Sequence, residues 1–171
     1  MKYLITGGSG CGKSTWAEKL MAALPEKDRF YVATMQVCDA ESVSRVERHR
    51  RQRQTLDTVT IERTKNIGAS EISPGSAVLI EDIPNLLANE MFDGGEAERI
   101  VADVETLARK AGDIIIVTNE VFSDGIAYAD GTAKYIKHLA NINKRLAALC
   151  DCVVEVVYSI PVCLKGELPC V

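Results

Sequence analysis

The chain has 171 residues, of which 47% are hydrophobic and 26% are charged, and its formal net charge is −4. These values are ordinary for a folded protein, and they exclude an intrinsically disordered chain and a collagen. The length predicts one domain over residues 1–171, and the mildly acidic total disfavours a general role in coating nucleic acid.

No run of residues approaches the roughly 18 apolar positions that cross a bilayer, and the short apolar start at 2–6 is unlike a secretory signal. We therefore expect a cytoplasmic protein without a membrane span. Its six cysteines form no CxxC pair, and four of them lie in the last 22 positions. This pattern favours free buried thiols in a reducing compartment over a zinc site or a disulfide framework.

Short apolar runs alternate with longer amphipathic runs, which is typical of an α/β fold of the P-loop NTPase type, with a mostly parallel sheet flanked by helices. The apolar runs predict strands at 2–6, 29–34, 57–63, 77–81, 113–118 and 152–158, the last of these being the final strand. The amphipathic runs predict helices at 15–23, 39–53, 84–91, 96–110 and 132–149.

The loop between the first strand and the first helix fits the pattern GxxxxGK[ST]. Its residues are Gly7, Gly8, Ser9, Gly10, Cys11, Gly12, Lys13 and Ser14. Glycines let successive backbone N–H groups turn inward toward phosphate oxygens, and the helix N-terminus adds partial positive charge. We expect this loop to bind a nucleoside triphosphate, with Lys13 on the β- and γ-phosphates and the Ser14 hydroxyl on Mg²⁺.

The segment 45–53 holds five of the ten arginines and has a net charge of +4, so the rest of the chain carries −8. Arg45, His49 and Arg53 are spaced four residues apart, which places them on one side of the predicted helix. Flanking arginines would keep His49 neutral, and therefore nucleophilic, while they hold phosphates. A solvated basic helix face has the same spacing, so the pattern alone leaves both interpretations open.

The apolar run 77–81 ends in Glu81, followed by Asp82. A P-loop enzyme uses an acidic residue at the end of a neighbouring strand to hold the Mg²⁺ shell. Glu81 is the first candidate and Asp82 the second; the alternative is a pair of solvated acids.

These motifs occur together in one known family, which the chain resembles over nearly its whole length: the bifunctional adenosylcobinamide kinase / adenosylcobinamide-phosphate guanylyltransferase family of cobalamin biosynthesis. The matching stretches are LITGG at 4–8, GKS at 12–14, AE at 17–18, YVAT at 31–34, RV at 45–46 with His49 and Arg53, LIE at 79–81 with Asn89, TNEV at 118–121, Asn143 with RLA at 145–147, and IP at 160–161 with LK at 164–165.

The resemblance implies an enzyme that phosphorylates adenosylcobinamide from ATP or GTP and then transfers GMP from GTP to the product through a guanylylated histidine. By its place in the motif that histidine is His49, and a homotrimer is implied. Nucleotide contacts are expected from Thr34, Arg45, Arg53, Glu81 and Glu120, with Ser14 and Glu81 as metal ligands. A capping role is the alternative for Glu120.

Two other functions are compatible with the residues. One is a P-loop kinase of another small metabolite, in which His49 is structural and the guanylyl step is absent. The other is a nucleotide-dependent regulatory or RNA-binding protein that uses the arginine-rich segment. The net charge of −4 and the 5% aromatic content disfavour the second of these, because single-stranded RNA binding relies on basic grooves and aromatic stacking.

Overall fold

A computed structural model describes residues 1–25, 28–36, 57–122, 126 and 128–171. The strands are β1 (Lys2–Thr6), β2 (Arg29–Ala33), β3 (Val59–Glu62), β4 (Ala77–Glu81), β5 (Asp113–Val117), β6 (Cys152–Val157) and β7 (Ile160–Lys165). The α-helices are α1 (Lys13–Ala23), α2 (Ile83–Phe92), α3 (Ile100–Lys110) and α4 (Asp130–Leu149), and short 3₁₀ turns cover Ile67–Ala69 and Ala97–Arg99. The predicted helix 39–53 lies outside the described residues.

The seven strands form one sheet in the order β3-β2-β4-β5-β1-β6-β7. All neighbouring pairs are parallel except β6 and β7, which are antiparallel. The predicted α/β architecture is therefore confirmed. Within the described residues, no helix is both long enough and apolar enough to span a membrane.

Both faces of the central strands are buried, which explains why these strands are continuous apolar runs. Consecutive residues of β1 point to opposite faces of the sheet, so Tyr3 packs in one hydrophobic core and Leu4 packs in the other. One core packs the sheet against Trp16, Leu20 and other residues of α1. The opposite core packs it against α2, α3 and α4. Each flanking helix thus has a defined face of the sheet to cover, and the ends of the strands are left for the site.

The expectation that 152–158 is the final strand is wrong, because β7 follows it as an antiparallel edge strand. Tyr158 and Ser159 form the connection with φ of 50° and 65°. Two-residue hairpin turns with positive φ usually carry Asn or Gly, so these two residues gave no turn signal. Pro161 is tolerated in β7 because β7 is an edge strand.

Five cysteines are free among the described residues, and the predicted burial holds for only some of them. Cys150 and Cys152 are buried, and burial raises the pKa of these thiols to about 12 and about 11. Cys163 and Cys170 are exposed, so the expectation of burial is wrong for both. Cys163 lies in the edge strand β7 and Cys170 lies in the C-terminal tail that follows it, which explains why both are more exposed than Cys150 and Cys152.

Lys165, at the end of β7, closes the C-terminus of α4. Its Nζ donates hydrogen bonds to the carbonyl oxygens of Ala147, Ala148 and Cys150 at 3.0, 3.0 and 2.6 Å. The last carbonyls of a helix have no partner within the helix, and a cation there also opposes the negative end of the helix dipole. This contact fastens the edge hairpin to the longest helix.

We expect Lys165→Met to lower the free energy of unfolding by about 1–2 kcal/mol, because the helix end loses a charged donor. Urea denaturation followed by circular dichroism measures the change. Lys144→Met, at an exposed position of α4, is the matched control and should stay within about 0.5 kcal/mol of wild type. Equal stability of the two variants would contradict a capping role for Lys165.

Candidate active site

The loops that follow β1, β2, β4 and β5 meet at one edge of the sheet, because parallel strands present their carboxyl ends on the same side. β5 lies between β1 and β4, so residues 118–120 lie between the glycine-rich loop and Glu81. The backbone N–H of Glu120 donates to the carbonyl of Gly7 at 3.1 Å. The predicted loop, acidic strand end and Glu120 therefore belong to one region.

Backbone conformation explains the glycines at both ends of the loop 7–14. Gly7 has φ of 147°, and a Cβ there would lie 2.5 Å from the carbonyl oxygen of Val156. Gly12 has φ of 94°, and its Cβ would lie 2.6 Å from Ser159 Oγ. The β6–β7 turn also supports the loop, since the N–H of Ser159 donates to the carbonyl of Cys11 at 2.8 Å.

Lys13 is buried at the start of α1, two residues before the predicted helix, and its Nζ donates to the carbonyl of Gly8 at 3.1 Å. The ammonium group thus lies across the loop whose N–H groups are expected to surround phosphates. A phosphate oxygen could replace the Gly8 carbonyl as its acceptor through rotation of a flexible side chain.

Glu81 is half-buried at the end of β4, where Ser14 Oγ donates to its Oε1. Its Oε2 is buried and has no hydrogen-bond partner among the described residues. Burial raises the pKa of Glu81 to about 8; Asp82 and Glu18 also raise it, and the Ser14 hydroxyl and Lys13 lower it. A carboxylate and a hydroxyl are the hard oxygen ligands that Mg²⁺ prefers, so Ser14 and Glu81 fit the predicted metal site.

Asp82, the second candidate, is used as a helix cap. Its Oδ1 accepts from the backbone N–H of Asn85 at 2.9 Å and from Asn85 Nδ2 at 2.8 Å, at the start of α2. Burial raises the pKa of this carboxyl as well, while the hydrogen bonds from Asn85 lower it. Both acids are therefore only partly exposed and are hydrogen-bonded to protein groups, so the structure does not show two freely solvated acids.

Thr34 holds the backbone of the acidic pair. Its hydroxyl accepts from the N–H of Asp82 at 2.8 Å and lies 2.8 Å from the carbonyl of Asp82 and 3.0 Å from that of Glu81. The side chain is fully buried, so these contacts give it a positioning role. A direct contact between Thr34 and nucleotide stays a prediction.

Two asparagines fasten the neighbouring loops, and motif spacing gave neither of them a role. Asn89 Nδ2 donates to the carbonyls of Thr34 and Thr64 at 2.8 and 3.0 Å, which ties the ends of β2 and β3 together. Asn143 accepts from Thr118 Oγ1 at 2.7 Å and donates to the carbonyl of Asn119 at 3.2 Å. Only the resemblance pointed to these residues, because their partners are distant in sequence.

The structure therefore brings together residues 7–14, Thr34, Glu81 and Glu120. Arg45, His49 and Arg53 lie outside the described residues, and their roles stay predictions. The Glu120 carboxylate accepts from the N–H of Phe122 at 2.8 Å, which is a local capping contact of the kind expected as its alternative role.

Known proteins match the chain over nearly its whole length. A sequence model described as "CobU: Cobinamide kinase / cobinamide phosphate guanyltransferase" matches residues 3–164. The Bifunctional adenosylcobalamin biosynthesis protein CobU of Escherichia coli is 31% identical and covers 96% of this chain and all of its own length. The corresponding CobP protein of Pseudomonas aeruginosa is 30% identical, over 98% of this chain and 99% of its own.

The fold itself is found in more distant proteins. The crystal structure of the flagellar accessory protein FlaH from Methanocaldococcus jannaschii is similar with a TM-score of 0.54, 13% identity, and coverage of 97% of this chain and 78% of that one. At this identity the likeness shows the fold alone.

Two neighbouring glycines of the loop, Gly7 and Gly8, allow a paired test. We expect Gly7→Ala to lower the free energy of unfolding by about 1–3 kcal/mol, because the new methyl group clashes with the backbone of Val156 at a φ that alanine rarely adopts. Gly8 has open space at the Cβ position, so Gly8→Ala should be nearly neutral without nucleotide. Thermal denaturation compares the two, and an equal loss in both variants would contradict the reason given for Gly7.

The Thr34 hydroxyl allows a second test. In Thr34→Val the N–H of Asp82 loses its side-chain acceptor, and an unsatisfied buried donor costs about 1–3 kcal/mol. We also expect weaker ATP binding by calorimetry, because Glu81 is no longer held in place. Thr34→Ser keeps the hydroxyl and should restore most of the ATP affinity. Unchanged ATP affinity in the stable Val variant would show that Thr34 does not position the acids.

Proposed function

The chain belongs to the cobinamide kinase / cobinamide phosphate guanyltransferase family, and we propose that it carries out both reactions in the biosynthesis of adenosylcobalamin. It phosphorylates the hydroxyl of adenosylcobinamide with ATP or GTP, and it transfers GMP from GTP to the resulting phosphate. The observation that carries this proposal is that the family match, over 3–164, contains every loop that meets at the carboxyl edge of the sheet.

For the kinase reaction the described site supplies positioning and charge. Backbone N–H groups of residues 7–14 hold the phosphates, and Lys13 moves from the Gly8 carbonyl to the β- and γ-phosphate oxygens. Ser14 and Glu81 would hold Mg²⁺, which would neutralise charge on the phosphates. Because little covalent chemistry is demanded of the protein in phosphoryl transfer, these contacts account for most of its contribution.

For the transferase reaction we assign the nucleophile to His49. Its imidazole nitrogen forms a bond with the α-phosphorus of GTP, the bond from that phosphorus to the α,β-bridging oxygen breaks, and pyrophosphate leaves. An oxygen of adenosylcobinamide phosphate then attacks the same phosphorus, the P–N bond breaks, and the imidazole is regenerated. Arg45 and Arg53 hold the phosphates. The four-residue spacing and the family match support these assignments.

The proposal includes one domain over 1–171, a cytoplasmic location and a homotrimer. An assembly is supported by β7, an edge strand whose side chains Ile160, Val162 and Leu164 are all exposed. Isolated proteins usually protect an apolar edge strand, since its unpaired backbone groups invite pairing with another chain.

The covalent step gives the sharpest test. Incubation with GTP labelled at the α-phosphate should leave label on the wild-type protein, and this label should be acid-labile because phosphoramidates hydrolyse in acid. His49→Ala should abolish the label, because the variant lacks the nucleophile. The chain has two histidines, so His138→Ala is the matched control and should keep the label. Electrophoresis with autoradiography, before and after acid treatment, measures each result.

Two outcomes would contradict this assignment. Label that persists in His49→Ala would place the nucleophile elsewhere. Phosphorylation of adenosylcobinamide by a wild-type protein that never takes up label would favour a P-loop kinase without the transferase step.

A further inference from the structure

The turn between β6 and β7 places an aromatic side chain in solvent. Tyr158 is 90% exposed, which is the largest exposed fraction among the exposed large hydrophobic side chains of the described residues. Single exposed hydrophobic residues are common on protein surfaces and need no function by themselves. Tyr158 differs from them because it lies beside the glycine-rich loop 7–14.

The backbone of this turn lies directly against the loop. The N–H of Ser159 donates to the carbonyl of Cys11 at 2.8 Å, and this N–H belongs to the peptide group that Ser159 shares with Tyr158. The approach is close, since a Cβ on Gly12 would lie 2.6 Å from Ser159 Oγ. The backbone of Tyr158 is therefore a direct neighbour of the loop that is expected to hold phosphates.

The conformation of the turn keeps Tyr158 in this place. Tyr158 and Ser159 have φ of 50° and 65°, in a region that residues other than glycine adopt rarely. Such residues persist where surrounding contacts hold them, and they cluster at binding and active sites. Here the holding contacts are the hydrogen bond to Cys11 and the antiparallel pair of Val157 and Ile160. The backbone of Tyr158 is thus fixed, while its ring is surrounded by solvent.

The order of the strands indicates which end of a bound nucleotide reaches this turn. Ser14 and Glu81 meet on the side of β1 that faces β5 and β4. They are the proposed ligands of Mg²⁺, which bridges β- and γ-phosphate oxygens in P-loop enzymes. β6 and β7 lie on the other side of β1, and the turn follows the carboxyl end of β6, which is parallel to β1. With the γ-phosphate on the β4 side, the nucleoside leaves the loop on the side of the turn.

We propose that Tyr158 is the base-binding residue of the nucleotide site, and that its ring stacks on the purine of a nucleotide whose phosphates occupy the loop 7–14. The inference deepens the proposed function, because it rests on nucleotide binding by that loop. Since 90% of the side chain is exposed, a base can cover one face of the ring without first displacing a packed side chain.

The chemistry of an aromatic ring suits the donors of the proposed reactions. Every base has a π-face, so stacking on an aromatic side chain tolerates differences between bases. A stacking residue therefore holds adenine and guanine alike, as an enzyme that takes either ATP or GTP in its first reaction requires. The hydroxyl of Tyr158 takes no part in the stacking, so a phenylalanine ring should serve equally well.

An interface between copies of the chain is the competing use of an exposed tyrosine. The apolar side chains that support an assembly are Ile160, Val162 and Leu164, which belong to β7 at the open edge of the sheet. Tyr158 precedes β7 and lies at the carboxyl end of β6, on the side of the sheet where the loops of the site meet. This location favours the nucleotide as its partner.

Removal of the ring tests the assignment by comparing ligands with and without a base. Tyr158→Ala should weaken ATP and GTP binding at least about ten-fold, which corresponds to ~1.4 kcal/mol of lost stacking. Inorganic tripolyphosphate has phosphates but no base, so its dissociation constant should change less than about two-fold. Tyr158→Phe keeps the ring and should bind all three ligands like the wild-type protein. Isothermal titration calorimetry in the presence of Mg²⁺ measures each constant.

A second variant gives a spectroscopic readout. Tyr158→Trp keeps an aromatic ring and adds an exposed indole to a chain whose single tryptophan, Trp16, is buried. Saturation with ATP or GTP should quench the fluorescence of the new indole, because the base stacks on it, and tripolyphosphate should not. Unchanged emission at saturating ATP would contradict a contact between position 158 and the base.

Leu164→Ala is the matched control for assembly, because it shortens another exposed apolar side chain near the far end of β7. Its affinity for ATP should stay within about two-fold of wild type. Equal losses of ATP affinity in Tyr158→Ala and Leu164→Ala, with a changed sedimentation coefficient in both, would assign Tyr158 to an interface and overturn the inference. Equal losses of ATP and tripolyphosphate affinity in Tyr158→Ala would also overturn it, because the loop itself would then be disturbed.

Failure of this inference and failure of the proposed function give different results. Wild-type protein that binds ATP but neither phosphorylates adenosylcobinamide nor takes up label from GTP would overturn the proposed function, and ATP binding by Tyr158→Ala would still decide the role of the ring. Wild-type protein that carries out both reactions, with unchanged ATP affinity in Tyr158→Ala, would overturn the assignment of Tyr158 alone.

Discussion

The buried carboxylate of Glu81 is the group on which the arrangement of the site depends. One of its oxygens accepts from Ser14, and the other has no hydrogen-bond partner among the described residues. An ionised carboxylate in such surroundings is costly unless an opposite charge is near, and burial accordingly raises its pKa to about 8. A cation bound by Glu81 and Ser14 would remove that cost, which is the electrostatic reason for proposing a metal site here. Thr34 holds the backbone of Glu81 and Asp82, and Asn85 binds the Asp82 carboxylate. These contacts keep the Glu81 carboxylate where a cation could reach it.

The order of the strands provides the space for that chemistry. Neighbouring strands are about 4.8 Å apart, so the insertion of β5 between β1 and β4 places these two strands roughly 10 Å apart. The side chains of Ser14 and Glu81 reach across this distance and meet, while the loop after β5 lies between the two strand ends. Asn143 fixes this loop from α4, and the N–H of Glu120 fastens it to Gly7. The topology thus determines which residues share the site, and polar contacts across the loops determine their positions.

The features that could be predicted from the sequence are those determined by residues within one short stretch of the chain. The apolar run 77–81 forms a strand that is covered on both faces. Gly7 and Gly12 stand where the loop has positive φ and no room for a side chain, so their spacing before Lys13 is visible in the sequence. The functions of Thr34 and Asn143 could not be predicted in this way, since their partners are 47 and 25 residues away. β7 was missed for a different reason. Its turn uses Tyr158 and Ser159 at positive φ, where the usual glycine or asparagine signal is absent, and the Cys11 carbonyl and the edge pairing hold the turn in place.

The uneven distribution of charge connects the two proposed reactions. The segment 45–53 carries +4 and the remainder −8. Guanidinium groups pair well with phosphate oxygens, so this composition suits a phosphate ester better than the neutral alcohol from which the ester is made. Phosphorylation changes the charge of the acceptor by nearly two units, and this change makes it a better partner for an arginine-rich segment. The charge that the first proposed reaction adds is thus the charge that fits its product for the second.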